Sequence, residues 1–319
     1  MTDRRVKLYY FPASYYSQKA LIAAQEKEVK YEPVIINIHG LDGGEQCTAA
    51  YMRRSANKGK VPVLQDGEKV ITESEDIVDY IDREFPADTK LVPDLSTEIG
   101  REVAKWRKEL DAVPIEPITF GLMGNPDLSV SGLQIPAFMR KKGTELMASL
   151  QINAAKMEQL ADEHPDLREA YMTKVSELQK RRQFVSDKDK VVKILDELET
   201  TLDQVEQQLK KVDADPSKEL WLCGQQFTSA DINLCILMGR LDLLGLAGRY
   251  HNAEKRPRLH AYWEAAKKRP TVNRVTVHAI REMMKMNVKK GLKNALPYLG
   301  GLVTVGLAAG LAFVFAQKR

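Results

Sequence analysis

Residues 57 to 81, NKGKVPVLQDGEKVITESEDIVDYI, constrain this chain more than any other stretch. Val61, Val63 and Leu64 around Pro62 read as a short strand, Asp66-Gly67 as a tight hairpin turn, and Val70-Ile71 as the returning strand. A helix is expected next. Ser74 can accept a hydrogen bond from a first-turn amide, Glu75 and Asp76 suit the positive end of the helix dipole, and Ile77, Val78, Ile81 and Phe85 recur on one face. Proline has no amide to donate to a sheet, so Pro62 marks an edge or a functional bend.

Upstream, Val6, Leu8 and Tyr10 alternate with Lys7 and Tyr9, a first strand that ends at Phe11-Pro12. Ala20, Leu21 and Ala24 line one side of a following helix, and Val34-Ile35-Ile36-Asn37-Ile38 reads as a second strand bounded by His39-Gly40. Gly40, Gly43 and Gly44 predict an irregular helix over Glu45 to Tyr51. Strand, helix, strand, hairpin, helix is the thioredoxin-like order, so residues 1–86 are expected to form an α/β domain.

The proline-rich polar stretch 86–96 reads as a linker, and a helix from Thr97 to Asp111 follows before Pro114 and Pro117 break the chain. Residues 97–285 are expected to be all-helical, with a charged insertion at 127–190. Leu146, Leu150, Met157, Leu160 and Tyr171 give that insertion only a narrow apolar face, which suits either a solvated helical hairpin or a partner-binding arm. Val191, Leu195, Leu198, Leu202, Val205, Leu209 and Val212 then recur at alternating spacings of four and three, a seam for another helix within the chain. Thr228 and Asp231 in FTSADINLCI form a capping box that opens a core helix.

The hairpin and helix after Pro62, the Thr-x-x-Asp box and the segment RPRLHAYWEAAKKRPTVNRV at 256–275 together resemble the glutathione transferases. The resemblance implies that Pro62 is cis, that the Val61 main chain pairs with the cysteinyl part of glutathione, and that Glu73 and Ser74 hold its γ-glutamyl end. A helix N-terminus carrying a hydroxyl suits a carboxylate. The resemblance also implies a hydroxyl just after the first strand that favours thiolate. Ser14 and Tyr10 both occupy such a place, Ser17 is a third candidate, and the neighbouring Tyr15 and Tyr16 crowd the site.

Cys47, Cys223 and Cys235 are too few and too scattered for a disulfide framework, and the five histidines include no pair at helix-face spacing, so no metal site is inferred. No N-terminal signal peptide is expected, because the first residues are polar. Charge is unevenly spread. Residues 249–293 hold thirteen Lys or Arg against three Glu, a net of +10 within a chain of only +4. Asn294 to Gln317 is uncharged, and from Tyr298 to Ala316 almost wholly apolar. A helical span of about 30 Å fits a bilayer, so a C-terminal transmembrane anchor over 294–316 is expected, inserted after synthesis. The basic neck before it is assigned to anionic lipid; nucleic acid is not expected, since aromatic residues do not interleave with the charges.

IPAF at 135–138, HPDLREAY at 164–171, ILDELETTLDQVE at 194–206, WLCGQQFTSAD and the anchor resemble the ganglioside-induced differentiation-associated protein 1 family. That resemblance implies a tail-anchored protein of the mitochondrial outer membrane, its bulk facing the cytosol; the moderately apolar span, with Lys289, Lys290 and Lys293 before it and Lys318-Arg319 after, suits that membrane or, as a second site, the peroxisome. It also implies a role in mitochondrial fission and network organisation, with partners among proteins of mitochondrial dynamics, and a homodimer. The alternative is an active glutathione S-transferase conjugating hydrophobic electrophiles at the membrane. If the apolar run spans a bilayer, the full chain stays in the pellet after alkaline carbonate extraction of membranes, whereas a chain ending at Lys293 is released. Release of the full chain overturns the anchor.

Overall fold

The computed structural model describes residues 5–38, 44–135, 143–212, 220–279 and 281. Met1–Val277 form one compact unit and His278–Arg319 a second. The span expected at 294–316, the basic residues just before it and the segment after Ile135 lie outside the described residues. Among the described residues no helix is long and apolar enough to cross a membrane.

The sheet has the order β2-β1-β3-β4, from β1 (Val6–Tyr10), β2 (Tyr31–Ile35), β3 (Val63–Asp66) and β4 (Lys69–Ile71). β1 and β2 run parallel and the other pairs antiparallel. A parallel pair needs a crossover, supplied by α1 (Tyr15–Glu26). Val6 and Leu8 pack on α1 and on α3 (Ser74–Glu84), whereas Tyr9 faces the other way and meets Tyr51 of α2 (Ala49–Arg54) edge-on. Both faces of β1 are thus covered, which is why its burial does not alternate.

Three local expectations shift. β2 starts at Tyr31 rather than Val34, because Tyr31 pairs with Val6; as an edge strand it tolerates Pro33. The hairpin turns at Gly67-Glu68, one residue later than expected, with Gly67 at φ 59°. Ser74 is the first helical residue of α3 and not its cap. Glu73 is the cap and makes no side-chain capping bond.

In the helical domain, Thr97 caps α4 (Glu98–Asp111) by accepting the Gly100 N–H at 3.0 Å. α5 (Ile115–Gly124) runs through Pro117, which was expected to end it; in a first turn the missing amide would have no helical partner anyway. Next come α6 (Gly143–Glu163), α7 (Arg168–Ser186), α8 (Lys188–Val212), α9 (Ser229–Leu243), the short α10 (Ala247–Tyr250), α11 (Pro257–Ala266) and α12 (Pro270–Val272). Val191 to Leu209 of α8 are buried inside the chain, as an intramolecular seam requires. The capping box at Thr228 and Asp231 is formed, and the buried Asp231 carboxylate also accepts from the Leu222 amide and the Tyr262 hydroxyl.

The insertion is not a solvated hairpin. Met157, Ala161, Leu167, Tyr171 and Val175 from α6, α7 and the turn between them close over Cys47 and Met52 of the α/β domain. Tyr171 donates to the Cys47 carbonyl at 2.9 Å, and Arg53 forks onto Asp166 at 2.9 and 3.0 Å. A narrow apolar face suffices because α2 and the turn before it supply their own apolar side. The beginning of the basic stretch is likewise engaged internally: Arg249, Lys255 and Arg256 pair with Asp196, Glu199 and Asp203 of α8, and Arg269 pairs with Glu26.

The two domains meet at a buried ionic cluster. Lys19 of α1 is fully buried and holds Glu75 at 2.6 Å together with Asp111. Arg107 of α4 reaches Glu75 and Asp79, each at 2.7 Å, and the Asn233 amide of α9 donates to Glu75 at 3.1 Å. Burial opposes ionisation of Glu75, but Lys19 and Arg107 outweigh it and hold the carboxyl below its usual range. Asp82 is depressed in the same way: burial raises it, and bonds from Lys90, the Leu91 amide and Lys27 lower it further. Depressed carboxylates stabilise the fold above the unfolded carboxylate range near pH 4 and lose that contribution as pH falls through their folded values. Lys19→Met is expected to cost about 3 kcal/mol at neutral pH and to flatten the loss of stability below about pH 4, both read from urea midpoints across pH.

Candidate functional site

The carboxyl end of β1, the loop entering β3 and the amino ends of α1 and α3 converge on one side of the α/β domain. The register Tyr9 to Val63, continued two residues, sets Val61 beside Phe11, three residues before Ser14. The Val61-Pro62 peptide bond is cis. Among the described residues the Val61 amide and carbonyl have no main-chain partner, so this edge is open to an extended ligand.

The loop from Ser55 to Val61 is held from three directions. The Ser55 hydroxyl accepts the Gly59 amide at 2.8 Å, and the Tyr51 hydroxyl donates to the Lys60 carbonyl at 3.0 Å. From the insertion, Lys174 of α7 donates to the Gly59 carbonyl at 2.9 Å and Glu177 pairs with Lys60 at 3.0 Å. Gly59 sits at φ 54°, and a Cβ there would overlap the Met52 sulfur, the Lys174 side chain and the Gln46 carbonyl, so the position requires glycine. Burial pushes the pKa of Lys174 down, against the opposing pull of Cys47 and Glu177.

At the start of α3, the amides of Ser74, Glu75 and Asp76 find no acceptor among the described residues, and the first helical bond runs from Ile77 to Glu73. Ser74 is buried, while Glu73 is exposed and paired with Lys58. Three unsatisfied N–H groups, a hydroxyl and a carboxylate–ammonium pair form a cradle for a zwitterionic end group.

Of the three candidate hydroxyls, Ser14 alone belongs to this face. It caps α1 by accepting the Ser17 N–H at 3.3 Å, which leaves its own proton for a ligand. Ser17 is buried and its hydroxyl accepts from Phe11, a bond that fixes the turn. Tyr10 shares the core face of β1 with Val6 and Leu8, and with Arg274 it acts on Tyr31, whose phenol burial pushes up to about 12. Tyr16, expected to crowd the site, is 38% exposed, and burial, followed by Asp111, raises its phenol pKa. Sequence reasoning missed two other residues there. Arg240 of α9 donates to the Ala13 carbonyl at 2.8 Å, next to Ser14. Lys58 was visible in the NKGK lead-in, but no periodicity told that it would reach Glu73.

Residues 8–89 match the glutathione S-transferase N-terminal domain and residues 150–270 the C-terminal domain. Ganglioside-induced differentiation-associated protein 1-like 1 of Homo sapiens is 30% identical over 267 residues, which span 82% of this chain and 71% of that protein. The chain belongs to the glutathione S-transferase family. Glutathione S-transferase TCHQD of Arabidopsis thaliana is 26% identical over 85% of this chain and 89% of its own length. Among solved structures, the beta-etherase of Sphingobium sp. superposes with a TM-score of 0.59 at 21% identity, covering 88% of this chain and 99% of that one. A glutathione S-transferase of Methylobacillus flagellatus with glutathione bound superposes at 0.54 and 19%, covering 85% and 98%. These likenesses place the transferase fold over both domains. In this chain α7 braces the Gly59 loop of the site. Lys174→Met is expected to speed amide exchange at Lys58 and Gly59, whose amides bond Ser55, by about tenfold, the loss of one hydrogen bond; unchanged exchange would show that α7 does not stabilise the loop.

Proposed function

We propose that the folded body of this chain binds glutathione in the cradle formed by Val61, Pro62, Glu73, Ser74 and Ser14. The observation that carries the reading is the open amino end of α3, where three amides without an acceptor among the described residues lie at the same end of the sheet as the unpaired Val61 main chain. Family members bind glutathione, as the Methylobacillus structure does. In this reading the γ-glutamyl carboxylate takes the α3 amides and Ser74, its ammonium takes Glu73, and the Val61 main chain pairs with the cysteinyl unit. Ser14 donates to the sulfur. Hydrogen bonding and the amino end of α1 both favour thiolate there.

Membership in the ganglioside-induced differentiation-associated protein 1 branch is part of the proposal. It is supported by the likeness to its human relative and by the uncharged run at 294–317. On this reading the body is held at the mitochondrial outer membrane, with Lys285, Lys289, Lys290 and Lys293 against anionic lipid, and acts in fission and network organisation. Glutathione occupancy there regulates a binding module. Conjugation of a hydrophobic electrophile is the second reading, favoured by the likeness to a glutathione S-transferase of Arabidopsis thaliana over 85% of this chain.

Calorimetric titration of the full-length chain in detergent is expected to give saturable glutathione binding. Ser74→Ala should weaken it by about tenfold, the loss of one charge-assisted hydrogen bond. No saturable heat at millimolar glutathione would end the reading.

A further inference from the structure

Arg240 enters the cleft between the two domains from α9. Its Nη2 donates to the Ala13 carbonyl at 2.8 Å and its Nη1 to the Thr119 hydroxyl at 3.4 Å, and its guanidinium carbon lies 5.8 Å from the Tyr15 ring centre. Among the described residues it holds no carboxylate. The other arginines withdrawn from solvent each hold at least one: Arg107 with Glu75 and Asp79, Arg181 with Glu116, Arg249 with Asp196, Arg256 with Glu199, and Arg269 with Glu26.

Burial pushes the Arg240 guanidinium down to about 10, with Tyr15 and Tyr16 pulling the other way, and it stays cationic at neutral pH. A part-buried cation that contacts only neutral groups is costly, and an incoming anion offsets that cost. The place of the cation is informative. Ala13 precedes Ser14, so the guanidinium lies one residue from the proposed thiol site, on the side formed by α5 and α9. An acceptor reaching the sulfur on that side would meet Arg240 and the 38% exposed Tyr16 ring.

We propose that Arg240 determines specificity for the second substrate, selecting aromatic acceptors that carry a carboxylate or phenolate. The guanidinium fork meets the charge and Tyr16 the ring. The inference rests on the glutathione reading of the same cleft and adds the chemical class of what reacts or docks beside it.

The test uses the full-length chain in detergent and two matched probes, S-benzylglutathione and S-(4-carboxybenzyl)glutathione, with affinities measured by calorimetry. The quantity read is the ratio of the two affinities within each protein. Wild type is expected to prefer the carboxylated probe by about tenfold or more. Arg240→Gln should bring the ratio close to one, and Arg240→Lys, which keeps the charge and loses the fork, should fall between. Equal affinities in wild type, with glutathione itself bound, would overturn the inference and leave the glutathione reading standing; the wild-type comparison decides this even if a variant fails to fold. If glutathione and both conjugates fail to bind, 4-methylbenzoate alone is titrated. Saturable binding that Arg240→Gln or Arg240→Lys weakens would sustain the anion site without glutathione, and no binding would overturn both.

Discussion

A single buried lysine fixes how the two domains meet. Lys19 has no exposed surface and pairs with both Glu75 and Asp111, while Arg107 and Asn233 approach Glu75 from α4 and α9. Removing several charges from water at a domain boundary gains little net stability over an apolar contact. It does fix geometry, because each charge is satisfied only when α1, α3, α4 and α9 stand in one arrangement. Glu75 follows Ser74 directly. The network that joins the domains thus also orients the open amino end of α3, and Lys19, one turn into α1, sets Ser14 in the same frame. Both helix ends of the site are positioned by one ionic cluster.

The loop carrying Val61 needs a different support, since it lies on the far side of β3 from that cluster. In this chain α7 provides it. Lys174 and Glu177 hold Gly59 and Lys60 from outside, and Tyr171 anchors α7 to Cys47. The inserted hairpin therefore acts on the site without lining the α3 cradle. Its lysine is itself part-buried, with its pKa lowered by desolvation, and donates to the Gly59 carbonyl beside the cluster around Met52 and Met157.

Local chemistry made much of this legible in the sequence. The β1 alternation, the strands around the hairpin, the α8 seam and the Thr228-Asp231 box depend on neighbours within a turn or a strand, and the structure has each of them in place or shifted by a few residues. What the sequence did not disclose depends on neighbours far apart. The insertion's apolar face looked too narrow because the complementary face is Cys47 and Met52, about a hundred residues earlier. The basic stretch looked free because its counter-charges lie on α8 and at Glu26. Pro117 looked like a break because helix phase, and not composition, decides whether a proline costs a hydrogen bond. Ser14, Val61, Glu73 and Ser74 were identified through resemblance; periodicity alone gave a hairpin and a capped helix, and even the cap falls on Glu73.

The crowding of tyrosines around Ser14 resolves into a division of labour once their environments are separated. Tyr15 is buried, and burial pushes its phenol far above the ordinary range, as do Tyr16 and the nearby carboxylates, with Arg240 pulling against them. Burial raises Tyr16 as well. Neither phenol becomes an anion near neutral pH, so each keeps a proton to donate. A serine at the amino end of α1 has a different advantage: its oxygen is already occupied by the Ser17 amide, so the hydroxyl proton points away from its own helix and is available to an anion. The dipole of α1 and the Arg240 guanidinium beside Ala13 act with it. The cleft thus offers positive potential and hydrogen-bond donors where a thiol would lie, and a thiol in such surroundings ionises more readily than in water. The carboxylates of Glu75 and Asp111 oppose that effect, as they do at Tyr15, and Lys19, which pairs with both, weakens their pull. The same lysine that joins the domains thus limits the negative potential at the site.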